Sequence, residues 1–274
     1  MIQFTYTNKV AIITGSAIGI GFEIAKQLVK AGASIVINDV DGKALEKAIN
    51  ELENMGAKCT SVKGNSGDFD VIQSIVEKAV SEFGRLDFVI ANSGITTFGD
   101  FINYKLEEFQ TLTSVNLQGS FFLAQEASKQ FIKQKSSGRI IFMSSVTGHQ
   151  AHPKLAAYGM TKAALEMLAK SLSIELAEHK ITVNAIAPGA TLTERTQSDE
   201  NYKATWEELT PTGKVSTTLD IANAALFLLS DTSSQITGQT VVVDGGWASV
   251  SPPPKTDDIK SVSYTHLRAH ETNF

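Results

Sequence analysis

With one cysteine, Cys59, in 274 residues, the chain has no means of forming an internal disulfide, which fits a protein that works in a reducing, cytoplasmic setting. No apolar run reaches the 18 or so residues that a membrane span needs, and nothing near the N-terminus reads as a secretion signal, so a soluble protein without membrane partners is expected. Positive charge is also short. The 24 lysines and arginines stand against 29 acids, and the formal charge of −5 argues against a nucleic-acid footprint. The densest basic stretch, Lys129, Lys133 and Lys135, reads as a solvated helix end. No group of His, Cys and Asp has the spacing of metal ligands, so the chemistry is expected to need no metal.

What is present is a core-forming composition, 42% hydrophobic, enough for one substantial α/β domain over residues 1–250. Helical periodicity occurs at Phe22–Ala31, Lys43–Met55, Val71–Phe83, Leu106–Lys133, Leu155–Ala177 and Leu219–Leu229, and short branched apolar runs lie between these segments. Such alternation predicts parallel βαβ units with right-handed crossovers, hence a Rossmann-type doubly wound parallel sheet with its site at the carboxyl ends of the strands.

The first of those strands, Val10–Ile13, runs directly into Thr14-Gly15-Ser16-Ala17-Ile18-Gly19-Ile20-Gly21 and then into a helix. Glycines let the backbone turn tightly beneath a pyrophosphate, and the helix start offers free N–H groups and a positive dipole end. Gly15, Ser16, Ile18, Gly19, Ile20 and Gly21 are therefore the candidate phosphate cradle. The second strand, Ser34–Asn38, ends at Asp39, 24 positions after Gly15. A carboxylate there can hold the ribose hydroxyls of NAD and repel the 2′-phosphate of NADP, so NAD is the expected cofactor. The competing reading makes Asp39 a cap or loop acid before the next helix.

Tyr158 and Lys162 are spaced i, i+4, which on a helix puts phenol and ammonium on one face roughly 5–6 Å apart. A free phenol ionises only near pH ~10, and a cation about 5 Å away at an effective dielectric of about 20 favours the phenolate by on the order of 3 kcal/mol. The pair can thus move a proton, with the hydroxyl of Ser145 holding a substrate oxygen. Alone, the pair would more simply be a surface Tyr and Lys.

The turn spacing Gly-x-x-x-Gly-x-Gly after Thr14, together with this Tyr–Lys pair, resembles the short-chain dehydrogenase/reductase family over about Lys9 to Trp247. The resemblance implies Tyr158 as general acid/base, Lys162 lowering the pKa of the phenol and binding nicotinamide ribose, and Ser145, thirteen residues before Tyr158, orienting substrate. Ser144 is then a packing neighbour. It further implies that Asn116 holds a water in a proton relay and that Asn92 and Gly94 lie beside the adenosine half of the cofactor. Pro188, Gly189, Thr191 and Thr193 would meet the nicotinamide, and Asn65, where the family usually carries Asp, would face the adenine amino group. A homotetramer acting on a sugar, polyol or other secondary alcohol is implied, with a glucose-dehydrogenase-like activity favoured. The alternatives are a 3-oxoacyl-carrier-protein reductase and a non-catalytic NAD sensor on the same fold. The segment Leu192 to Lys214, with Glu194, Arg195, Tyr202, Trp206 and Glu207, is expected to set the substrate, while His149 and His152 read as solvated loop histidines.

Beyond Trp247 the chain passes through Ser251-Pro252-Pro253-Pro254 into a polar stretch, 251–274, that offers no periodic core face and reads as a disordered tail. Val262 to Thr272 resembles a translated transposon-end sequencing adapter, so a foreign segment is expected from about residue 261, with the natural terminus missing or earlier.

Overall fold

The computed structural model describes residues 4–250; the tail discussed above lies outside the described residues. Nine strands and eight α-helices follow one another as β1 (Val10–Thr14), α1 (Gly19–Lys30), β2 (Ser34–Asp39), α2 (Gly42–Asn54), β3 (Cys59–Lys63), α3 (Phe69–Phe83), β4 (Phe88–Ala91), α4 (Leu106–Thr113), α5 (Gly119–Lys133), β5 (Gly138–Met143), α6 (Ala156–Glu175), β6 (Ile181–Pro188), β7 (Thr191–Leu192), α7 (Tyr202–Leu209), β8 (Ser216–Thr217), α8 (Thr218–Leu229) and β9 (Thr240–Val243). Seven strands form one sheet in the order β3-β2-β1-β4-β5-β6-β9, every pair parallel. The small β7–β8 pair stands apart from it.

Period-2 alternation in the strands divides the interior into two cores. Ala11, Ile13, Ile35 and Ile37 face α1, α2 and α8 through Leu28, Leu45 and Leu229. Val10, Ile12 and Val36 face α3, α5 and α6 through Ile75, Phe131 and Leu165. Each fully buried Ile or Leu contributes about 1.5–3 kcal/mol relative to exposure, so the sheet is held equally from both sides.

The chain leaves β1 outward to β3 and returns to β4, so the strand order reverses between β1 and β4. At that reversal the carboxyl ends of the two strands diverge and a crevice opens. The segment read as one helix from Leu106 to Lys133 is interrupted by a π-helical turn at Ser114–Gln118, centred on the fully buried Asn116. Two elements lack a sequence signal. β3, Cys-Thr-Ser-Val-Lys, is an only partly covered edge strand, and α7 lies in the segment expected to set the substrate.

Candidate active site

The crevice is a cleft of about 480 Å³. Its floor is the β1–α1 turn, where Gly15 (φ +58°) and Gly19 (φ +65°) take left-handed backbone that side-chain-bearing residues rarely adopt. A Cβ on Gly15 would lie 2.9 Å from Ser93 Cα, and one on Gly21 would lie 2.5 Å from Asn92 Nδ2 and 2.6 Å from the Gly15 carbonyl oxygen. Asn92 explains this tightness. Its Nδ2 donates to the carbonyls of Thr14 (3.0 Å) and Gly15 (2.7 Å), tying β4 to the turn. Thr14 Oγ1 in return accepts from the backbone N–H groups of Asn92 and Ser93.

Ile18 begins α1 without a capping side chain, leaving the first N–H groups of the helix to whatever lies in the cleft. One is already used by an anion, for Gly19 N donates to Glu194 Oε2 at 3.0 Å. A narrow glycine floor and a helix start that accepts a carboxylate are what a dinucleotide pyrophosphate needs, so the residues present fit such a cofactor.

Asp39 lines the same cleft at the end of β2. Capping of α2 falls instead to Asp41, whose Oδ1 accepts from Lys43 N and Ala44 N. Asp39 Oδ2 accepts from Ala17 N (3.1 Å) and Oδ1 from Val40 N (2.8 Å), which fixes the carboxylate at the rim. Asn65 also lines the cleft, although its Oδ1 already accepts from Gly67 N at 2.9 Å.

Tyr158, Lys162 and Ser145 converge on the opposite wall. Lys162 is buried, its Nζ 5.5 Å from the Tyr158 ring centroid and donating to the Met143 carbonyl at 2.8 Å. That carbonyl at the end of β5 compensates a charge that would otherwise be expensive to bury. Gly94 lies close by, where a Cβ would be 3.1 Å from Lys162 Nζ and 3.5 Å from Asn116 Oδ1. Asn116 Oδ1 accepts from Ile95 N, and its Nδ2 donates to the Ile95 carbonyl and to Thr161 Oγ1. The widened turn of the π-helix is what lets this amide bridge the β4 loop and α6.

Of the candidate catalytic and cofactor-binding residues, Gly15, Ile18, Gly19, Ile20, Asp39, Asn65, Asn92, Gly94, Ser145, Tyr158, Lys162, Pro188, Gly189, Thr191 and Thr193 line this one cleft. Three do not. Ser16 is fully buried, its Oγ donating to the Ile13 carbonyl and its N–H to the Asn38 carbonyl, so it braces the turn from within. Gly21 is a packing glycine against Asn92, and Asn116 is buried behind the Gly94–Ile95 loop. Of the histidines expected to be solvated, His149 is exposed, its Nε2 3.2 Å from Glu166 Oε1, whereas His152 is half-buried, its ring stacked on Trp247 with centroids 5.1 Å apart.

Sequence reasoning missed the Met143 carbonyl and Thr161 as partners of Lys162 and Asn116, because contacts between remote segments leave no local pattern. Tyr202 also reaches the cleft, and burial raises the pKa of its phenol, which keeps the hydroxyl protonated. Among the described residues no helix is long and apolar enough to cross a membrane.

Parallel sheet, glycine cradle and Tyr–Lys wall define a nicotinamide-dinucleotide oxidoreductase of Rossmann type. Residues 15–248 match the family model described as enoyl-(acyl carrier protein) reductase, and the chain belongs to the short-chain dehydrogenase/reductase family. It is 35% identical over 259 residues to versicolorin reductase of Emericella nidulans, an alignment covering 89% of this chain and 97% of that protein. To a 3-oxoacyl-[acyl-carrier-protein] reductase of Staphylococcus aureus it is 37% identical over 242 residues, covering 87% and 98%. Among solved structures, gluconate 5-dehydrogenase from Burkholderia cenocepacia in complex with NADP and tartrate superposes with a TM-score of 0.84 at 30% identity, covering 91% of this chain and 98% of that one.

Proposed function

We propose that the protein interconverts a secondary alcohol and its carbonyl compound with NAD, Tyr158 serving as general acid/base. The observation carrying this reading is the meeting of Ser145, Tyr158 and the buried Lys162 in one cleft with a glycine-floored dinucleotide cradle. When bound, the nicotinamide ring supplies the hydride acceptor or donor. The chain's own residues do the rest. Ser145 Oγ, which accepts from Thr147 N at 3.3 Å, donates its proton to the substrate oxygen and orients the reacting carbon. In the oxidative direction Tyr158, as the phenolate, takes the alcohol proton and becomes the neutral phenol, and the ammonium of Lys162 stabilises the phenolate from which the step starts; in the reductive direction the phenol gives its proton to the carbonyl oxygen and the same ammonium offsets the charge left behind. Asn116 holds the Gly94–Ile95 backbone beside Lys162 Nζ, the place from which it would support a proton relay from the lysine.

NAD rather than NADP is supported by Asp39 at the cleft rim, although the gluconate 5-dehydrogenase structure contains NADP. A sugar or polyol substrate is supported by the gluconate 5-dehydrogenase activity of that neighbour and by Glu194 and Arg195, which line the cleft. A second reading, reduction of an aryl ketone or 3-oxoacyl thioester, is favoured by the contact of Tyr202 in the cleft wall with Trp206, which packs edge-on against Trp247. A homotetramer is supported by the exposed apolar side chains of Phe101 and Ile102 ahead of α4, of Leu106 at its start and of Met167 and Ile174 on α6. The lone Cys59 thiol suits the cytoplasm.

The test is Tyr158→Phe, assayed with NAD and NADP against sugars, polyols, aryl ketones and β-ketoacyl thioesters. Turnover is expected to fall by about a thousandfold with NAD affinity changed less than about twofold. A variant that keeps most of the activity refutes the role given to Tyr158.

A further inference from the structure

Glu166 lies one helical turn beyond Lys162 on α6, with a side chain only 12% exposed. The proposed mechanism gives this carboxylate no task, yet it is bound on two sides. Ser144 Oγ donates to Glu166 Oε1 at 2.7 Å, and His149 Nε2 approaches the same oxygen at 3.2 Å. Burial of a carboxylate is costly without such partners, so the three groups stand or fall together.

Ser144 and His149 flank the short 3₁₀ turn Val146–Gly148 that begins immediately after Ser145. This turn rests on α6 with no slack. A Cβ on Gly148 would come within 2.8 Å of Glu166 Oε1, and one on Gly159 within 2.8 Å of the Thr147 carbonyl oxygen. Ser144 Oγ also lies 3.0 Å from the Lys162 carbonyl oxygen. The end of β5, the turn that carries Ser145 and the helix that carries Tyr158 and Lys162 are therefore joined through one carboxylate.

Resting on the proton-transfer reading above, we infer that Glu166 is a positioning residue, whose bonds to Ser144 and His149 set Ser145 in register with Tyr158 and Lys162. It does not touch the reacting atoms. Loss of its carboxylate releases the turn after Ser145 from α6, and catalytic geometry tolerates little: a displacement of about 1 Å costs on the order of a hundredfold in rate. The dinucleotide cradle, on the far side of the cleft, contains no member of this group.

The experiment compares Glu166→Ala, Glu166→Gln and Tyr158→Phe in the full chain, measuring kcat at saturating NAD, KM for substrate, NAD affinity by titration and the thermal midpoint. Glu166→Ala is expected to lower kcat by about 10- to 100-fold with NAD affinity within about twofold. Glu166→Gln keeps an oxygen that accepts from Ser144 and His149, and is expected to restore kcat to within about threefold of the parent. If Glu166→Ala does not fold, Ser144→Ala, which removes only the bridging hydroxyl, is expected to show the same fall in kcat. The inference is overturned if folded Glu166→Ala, or Ser144→Ala in its place, keeps the parent kcat, or if kcat and NAD affinity fall together. Retained activity in Tyr158→Phe would instead overturn the underlying reading.

Discussion

Replacing Gly21 with alanine sets two opposing effects against each other, and the geometry decides between them. Gly21 lies in the first turn of α1, where alanine is intrinsically favoured over glycine by about 1 kcal/mol. Its new methyl group would stand 2.5 Å from Asn92 Nδ2 and 2.6 Å from the Gly15 carbonyl oxygen. The first contact can be relieved only by displacing the Asn92 amide from the Thr14 and Gly15 carbonyls, at about 1 kcal/mol for each hydrogen bond. Contact with the Gly15 carbonyl is with backbone, and overpacking of that kind costs about 1–3 kcal/mol. The net expectation is a loss of about 2–4 kcal/mol, which for a domain of this size lowers the thermal midpoint by roughly 5–15 °C. NAD affinity should fall with it, because the strained turn is the cradle itself. Urea unfolding read by circular dichroism gives the stability change. In an Asn92→Ala background the amide is gone, so the same substitution should cost about 1–2 kcal/mol less. A Gly21→Ala protein as stable as its parent, or strictly additive behaviour in the double variant, would refute the argument.

Three further outcomes follow from the structure. Glu194→Ala removes the carboxylate that occupies Gly19 N–H, and NAD should bind about two- to fivefold more tightly by isothermal titration at low salt; weaker binding would contradict the competition. Asp39→Asn discards the charge and keeps only one of the two oxygens that accept from the Ala17 and Val40 N–H groups, so the ratio of kcat/KM for NAD over NADP should drop by about tenfold, and an unchanged ratio would detach cofactor choice from this carboxylate. Burial, helped by Glu53, pushes the Cys59 thiol from its ordinary value near 9 up to about 11. The folded protein therefore holds that proton more tightly than the unfolded chain, and the associated stability, complete below pH 9, is lost as pH rises toward 11. Native Cys59 should accordingly react slowly with a disulfide reagent at pH 8, and rates equal to those in denaturant would oppose this.

The strands and helices that carry chemistry were legible because each has a local cause. β1 and β2 are continuous branched runs buried on both faces, and the glycine spacing before Phe22 marks a tight turn between a strand and a helix. The i, i+4 relation of Tyr158 and Lys162 survived unchanged into α6. Hidden features owe their form to distant partners. The π-turn exists because Asn116 satisfies Ile95 and Thr161, 21 and 45 positions away, and no periodicity announces such a bond. Ser16 looked like a cradle residue by position, but a small hydroxyl at the β1 carboxyl end found the Ile13 carbonyl closer than the cleft. β3 was missed since a strand covered on one side only, at the edge of a sheet, carries as many polar as apolar residues.

The five-residue turn at Ser114–Gln118 also constrains how this enzyme fold can vary. A single-residue deletion there would heal the hydrogen-bond ladder, yet it would swing everything upstream by about 100° about the helix axis relative to α5. Leu112, now covered, would rotate outward, while α5 kept its grip on the sheet. The extra residue thus acts as a phase shifter between two helical halves with different obligations, and length changes in this stretch should be tolerated less well than substitutions.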